Sequence, residues 1–274
     1  MNARRTARFR SRAAGTAIAA ALALGIAAAP AQAAPTPTVV LVHGAFADSS
    51  GWSDVADRLA ADGIAVRTFD TPLRGIANDA ARLTEFLAGI DGPIVLVGHS
   101  YGGAVITNTH DPDVTANVFV AAYAPERNQL LAELVNPLAH PGSLLLPPAL
   151  LVKPVADPAG PAGVNLDAFV TEPFFREVFC QDVAPAKAAE MYRNQRTLAA
   201  TANLERTGDP SWADTPSWYL VSTEDRVIPP ALQRETAQRV APGRTAEVAA
   251  SHASYVSQPD AVAGIVAEAA RAAG

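Results

Sequence analysis

Ten residues constrain this chain more than any others. Residues 94–103 read Ile-Val-Leu-Val-Gly-His-Ser-Tyr-Gly-Gly, an apolar β-prone run that ends in G-x-S-x-G. A run this short, bounded by glycine, suits a strand buried on both faces of a parallel sheet. Residues 103–108 can then start a helix, which puts Ser100 on a tight strand-to-helix turn. Glycines two positions to either side fit that turn, where a Cβ would clash. A serine held this way offers its hydroxyl at the carboxyl end of the strand, within reach of a base. Alone, the pattern also fits an ordinary turn between a strand and a helix, so the remaining chain has to decide.

The spacing of apolar residues predicts strands over Thr38–Val42 and residues 64–69, 94–97, 118–122, 218–222 and 245–249. Helices are predicted over residues 52–61, 79–90, Pro230–Val240 and Pro259–Ala273. Strands alternating with helices of about ten residues imply right-handed βαβ units and a parallel sheet covered on both faces. One interval breaks this rhythm. Residues 125–216 hold 12 of the 22 prolines and no convincing strand, and residues 186–198 form the best helix there. A structureless loop of that length does not belong in a compact domain. Residues 126–215 are therefore expected to be an inserted, mostly helical cap over the carboxyl ends of the strands, where α/β proteins bind ligands. The core is then residues 34–125 and 216–274.

Residues 1–33 are not counted as fold. Arg4, Arg5, Arg8, Arg10 and Arg12 precede an alanine-rich apolar run and Ala31-Gln32-Ala33, the pattern of a secretory signal peptide cut near Ala33 or Ala34. A membrane anchor is the weaker alternative, because the run is short and alanine is only mildly hydrophobic. The expectation is an exported chain without an integral membrane span after cleavage. Without the five arginines it carries 16 Lys and Arg against 27 Asp and Glu, a net charge of −11. Such a surface disfavours nucleic acid and anionic membrane as partners. Cys180 is the only cysteine, so no intramolecular disulfide forms, and nothing around it suggests an activated thiolate.

A serine hydroxyl becomes a nucleophile when a base takes its proton, and the base needs an acid to orient it. Of five histidines, His43 and His99 lie inside tight motifs, His110 in a polar loop and His140 in the proline-rich cap. His252 follows the last predicted strand and emerges at the same sheet edge as Ser100. The acid is Asp225, at the end of the strand over 218–222, with Glu224 next and Glu126 third. The order Ser, Asp, His is the one expected for a serine elbow on an α/β sheet. Acyl transfer also builds an oxyanion, for which backbone N–H donors are needed. Tyr101, at the start of its helix, supplies one donor, and Ala45, after His43-Gly44, the other.

Four segments, Val42-His43-Gly44-Ala45-Phe46, Gly98-His99-Ser100-Tyr101-Gly102-Gly103, Glu224-Asp225-Arg226-Val227-Ile228-Pro229-Pro230 and Ser251-His252, together resemble the α/β-hydrolase superfamily. The first, with Trp52 shortly after, is similar to the branch of plant methylesterases, hydroxynitrile lyases and bacterial carboxylesterases. The resemblance covers residues 38–125 and 216–272. It implies an α/β-hydrolase fold and a Ser100–Asp225–His252 triad, served by the oxyanion donors Ala45 and Tyr101 read above. It also implies no metal, no organic cofactor and a pocket between sheet and cap. As a departure from the family, the first antiparallel strands of larger members are expected to be missing, because the expected cleavage point lies only a few residues before the first strand. In the hydroxynitrile lyases a lysine follows the triad histidine, whereas Ala253 stands here; Ser100 also departs from the carboxylate nucleophile of dehalogenases and epoxide hydrolases. The expected function is a secreted serine esterase for small or medium carboxylic esters. The alternatives are a lyase or cofactor-free perhydrolase on the same triad, or a low-turnover ligand-binding protein. Phe169, Phe174, Phe175, Phe179, Met191 and Tyr192 are candidates for pocket lining or cap core.

Overall fold

The computed structural model describes residues 36–158 and 160–274; the leader expected over residues 1–33 lies outside them. In the first half, β1 (Thr38–Val42), α1 (Ser53–Ala61), β2 (Val66–Phe69), α2 (Ile76–Leu87), β3 (Ile94–His99), α3 (Tyr101–Thr107) and β4 (Val114–Val120) alternate. The insertion contributes α4 (Leu131–Leu134), β5 (Leu150–Ala156), β6 (Val164–Val170), α5 (Glu172–Phe179), α6 (Pro185–Arg193) and β7 (Leu198–Ala199). The chain ends with β8 (Ser217–Ser222), α7 (Pro230–Val240), β9 (Thr245–Val248), α8 (Ser254–Ser257) and α9 (Pro259–Ala273).

The main sheet has six strands in the order β2-β1-β3-β4-β8-β9, every pair parallel. This is the doubly wound α/β fold expected. Helix α1 packs on α9, and α2 on α3. Strands β3 and β8 are buried along their whole length, whereas the edge strands β2 and β9 are mostly exposed, as in a sheet covered on both faces. Strand β4 starts four residues before its predicted position. Thr115 and Asn117 hide it in the sequence, and the buried Asn117 is accommodated because its Nδ2 donates to Ser211 Oγ at 3.3 Å. Helix α2 begins at Ile76 instead of residue 79, since Glu205 of the insertion reaches across to accept the Ala77 N–H.

The insertion requires a correction. It carries helix α6 where a helix was expected and α5 besides, but also a three-stranded antiparallel sheet in the order β5-β6-β7, where no strand was expected. Pro154 concealed β5. It sits in an edge strand, where its missing N–H removes no ladder bond. Helix α6 stops at Arg193, and residues 198–199 pair with β6 instead of extending it.

Candidate active site

Ser100 lies between β3 and α3 with φ 53° and ψ −122°, a conformation that costs a non-glycine residue about 1–3 kcal/mol. Backbone bonds hold it there. Its N–H donates to Val120 O, and its carbonyl accepts the N–H groups of Gly103 and Tyr123 at 3.0 and 3.1 Å. Gly44 packs directly against this turn; a Cβ on it would lie 2.7 Å from both Ser100 Cβ and His99 O.

Asp225 and His252 come together across the ends of β8 and β9. Nδ1–H of His252 donates to Asp225 Oδ2 at 2.7 Å, and both side chains are fully buried. With that proton on Nδ1, a neutral ring keeps its lone pair on Nε2. Nε2 is buried and has no hydrogen-bond partner among the described residues, Ser100 Oγ included. Such catalytic bonds are often long before substrate binds. Ser100 and His252 are nonetheless tied together through His99, whose Nε2–H donates to the His252 carbonyl at 2.9 Å. The two imidazoles lie 4.6 Å apart. Burial first, and the neighbouring His252 second, push the His99 imidazole well below its ordinary range, so it stays a neutral donor.

Asp225 is held by three further donors. Oδ1 accepts the N–H groups of Val227 and Ile228 at 2.7 and 3.0 Å, and Oδ2 also accepts Gln233 Nε2–H at 2.7 Å. The other candidate acids are elsewhere: Glu224 is exposed, and Glu126 pairs with Arg239 at 3.3 Å. Among the remaining histidines, His43 donates from Nδ1 to Gly44 O and accepts the Thr71 N–H at Nε2, and burial lowers its pKa. It shapes the turn before Ala45. His110 bonds Asp209 O on the surface.

The N–H groups of Ala45 and Tyr101 have no acceptor among the described residues. The next N–H, of Phe46, is committed to Arg196 O at 3.1 Å. Tyr101 is anchored from behind, its Oη–H donating to Asp79 Oδ2 at 2.8 Å. Asp79 is fully buried in α2, and its Oδ1 accepts Arg74 N–H and Asn78 Nδ2–H. Burial raises the Asp79 carboxyl, and these donors oppose the rise.

A cavity of about 180 Å³ opens beside Ser100, Ala45 and Tyr101. The insertion lines it mainly with leucines, Leu131, Leu134, Leu145, Leu146, Leu150 and Leu198, and also with the polar His140, Ser143 and Asn203. The aromatic candidates for lining are placed differently. Phe175 and Phe179 stack on each other in the buried core, and Phe179 meets the His252 ring edge-on at 4.9 Å. Met191 and Tyr192 also lie away from this cavity. The supporting roles of His99, Gln233 and Asp79 were not legible in the sequence, where His99 was weighed only as a base. Only His99 had a usable signal there, its fixed place beside the serine.

Known proteins share this architecture. The model of the family described as Alpha/beta hydrolase family matches residues 39–265. A pyrethroid hydrolase of Sphingobium wenxiniae is 30% identical over 258 residues, which are 84% of this chain and 86% of the relative. A protein of Arabidopsis thaliana named as chloroplastic methylesterase 11 is 24% identical over 252 residues. These are 85% of this chain but 63% of that relative, so the chain spans less than two thirds of its length. Among solved structures, a pyrethroid hydrolase of Sphingobium faniae matches with a TM-score of 0.68 at 24% identity, over 86% of this chain and 98% of the other. At that identity the likeness is one of fold.

Proposed function

Because the chain belongs to the alpha/beta hydrolase family, in the branch of the plant methylesterases, we propose that it is a serine hydrolase of small or medium carboxylic esters. Ser100 Oγ attacks the ester carbonyl while His252 Nε2 takes its proton. Asp225 fixes the Nδ1–H tautomer and stabilises the imidazolium. The N–H groups of Ala45 and Tyr101 bind the oxyanion. His252 then returns the proton to the leaving alcohol, and water releases the acyl group from Ser100 by the same route. The observation that carries this reading is the 2.7 Å bond from His252 Nδ1 to Asp225, which leaves Nε2 as a free lone pair on a ring tethered to the Ser100 turn.

Two features support this assignment, one against the lyase alternative and one against a thiol nucleophile. Ala253 is buried, with its N–H on Phe179 O, so no lysine stands beside His252 to hold a cyanide leaving group. Cys180 is buried, and its thiol is pushed up to about 12 by burial and then by Asp182, which removes it as a competing nucleophile at neutral pH. Export is part of the reading and is supported by the arginine-rich start and alanine-rich run. The decisive experiment is Ser100→Ala assayed on p-nitrophenyl esters. Loss of about 10⁶-fold in kcat is expected, together with loss of fluorophosphonate labelling. Undiminished turnover in that variant would refute the assignment.

A further inference from the structure

The register of the β5–β6 hairpin places Leu150, Val152, Pro154 and Ala156 opposite Val170, Ala168, Leu166 and Val164. Directly opposed residues share a face, so all eight lie on one side, and all eight are apolar. The other side carries the hairpin's charges, Lys153 and Asp167, which are also opposed. Asp167 is fully buried and bound by Arg74 at 2.6 and 3.0 Å, so the charged side is fixed and the apolar side cannot roll inward to bury itself.

The apolar side changes character along its length. At the inner end Ala168 and Val170 are buried, and Leu150 and Ala168 form part of the cavity wall beside Ser100. At the outer end Val152, Val164 and Leu166 are 56%, 44% and 54% exposed, and Pro154 and Ala156 are exposed too. The same wall therefore leaves the cavity and continues as an apolar strip. Val135 and Leu146, which line the cavity and are also exposed, form an apolar rim at its mouth.

We propose that this strip is a subsite for the apolar chain of a medium-length ester whose carbonyl sits at Ser100, an inference that rests on the esterase reading. The cavity, about 180 Å³, is close in size to one that holds a single benzene ring. A longer acyl or alkyl chain has to leave it, and the strip is an outgoing wall that spares the chain contact with water. A second copy of the chain is the poorer occupant. Five residues of β5 run about 13 Å and two strands span roughly 10 Å, which gives on the order of 130 Å². A stable dimer needs about 800 Å² per partner.

The test uses p-nitrophenyl esters from acetate to laurate, each below its micelle concentration, with the full-length protein. Wild-type kcat/KM is expected to rise with chain length beyond butyrate. The pair Val152→Thr and Leu166→Thr places β-branched residues, which suit strands, at both exposed positions. It should leave acetate and butyrate within about twofold and lower decanoate and laurate about tenfold. Leu166→Phe, which adds apolar area, should raise the laurate value. A flat wild-type profile, an equal loss for acetate and laurate, or no loss for laurate would each overturn the proposal. So would a wild-type dimer that the threonine pair dissociates without changing the profile, since the strip would then be a self-association surface. Ser100→Ala separates the two readings: if turnover survives it, the esterase assignment fails; if turnover is lost but the profile is flat, only the subsite fails.

Discussion

His99 reaches no substrate, yet its Nε2–H to the His252 carbonyl links the serine turn to the histidine loop. Replacing it by Phe keeps a ring in the space and removes the donor. Turnover should fall about tenfold at unchanged KM, and the orphaned carbonyl should cost about 1–3 kcal/mol in a denaturant titration. A variant with wild-type kcat would show that the loop holds its position unaided. Gln233 works the same way on the acid: its amide donates to Asp225 and to Ile228 O, while its Oε1 accepts the Ser222 N–H. Asp225→Asn should cut kcat by about 10⁴-fold through the wrong imidazole tautomer, with the far-ultraviolet circular dichroism spectrum unchanged.

Among the elements, the end of α5 and the turn after it hold the loops that carry Asp225 and His252. Phe179 O accepts the Ala253 N–H, Asp182 Oδ2 accepts the Ser251 N–H, and Gln181 Nε2 donates to Glu224 O. The insertion therefore does more than roof the cavity, because residues 179–182 bind both the histidine loop and the acid turn. Asp182→Ala should speed hydrogen exchange at residues 250–254 and lower kcat severalfold, with the main-sheet strands as protected as in wild type. Uniformly faster exchange would instead indicate global destabilisation. Pro154 reads as a breaker in the sequence and is harmless only because β5 lies at a sheet edge, a fact set by tertiary pairing.

At the scale of the whole molecule, Arg74 couples the insertion to the core. Its guanidinium binds Asp167, Asp157 and Thr197 O, while its N–H meets Asp79 behind Tyr101. Asp167→Ala breaks a buried pair, which typically costs about 3–5 kcal/mol. For a chain of this size that predicts a fall in Tm of roughly 6–20 °C by calorimetry. Acid should also weaken the fold early. His43 and His99 have folded pKa values held below the ordinary 6.5 by burial. The unfolded chain then binds protons that the native state refuses, so stability falls as pH drops below about 6.5 and is regained above it. Urea midpoints between pH 5 and 8 check this; a flat profile would mean that these rings protonate in place.

The sequence alone determined what local patterning encodes. These were the parallel main sheet, the elbow at Ser100, and the positions of Asp225 and His252 just past strand ends, because period, glycine placement and strand-to-loop breaks are written in neighbouring residues. It did not determine what depends on partners distant in the chain. Asn117 in β4, Pro154 in β5 and the early start of α2 are permitted by Ser211, by the sheet edge and by Glu205. The links from His99 to His252, from Gln233 to Asp225 and from Asp79 to Tyr101 likewise exist only once the strand ends converge. A buried polar side chain is tolerated where it finds a hydrogen-bond partner, and in this protein those partners are supplied by the tertiary structure.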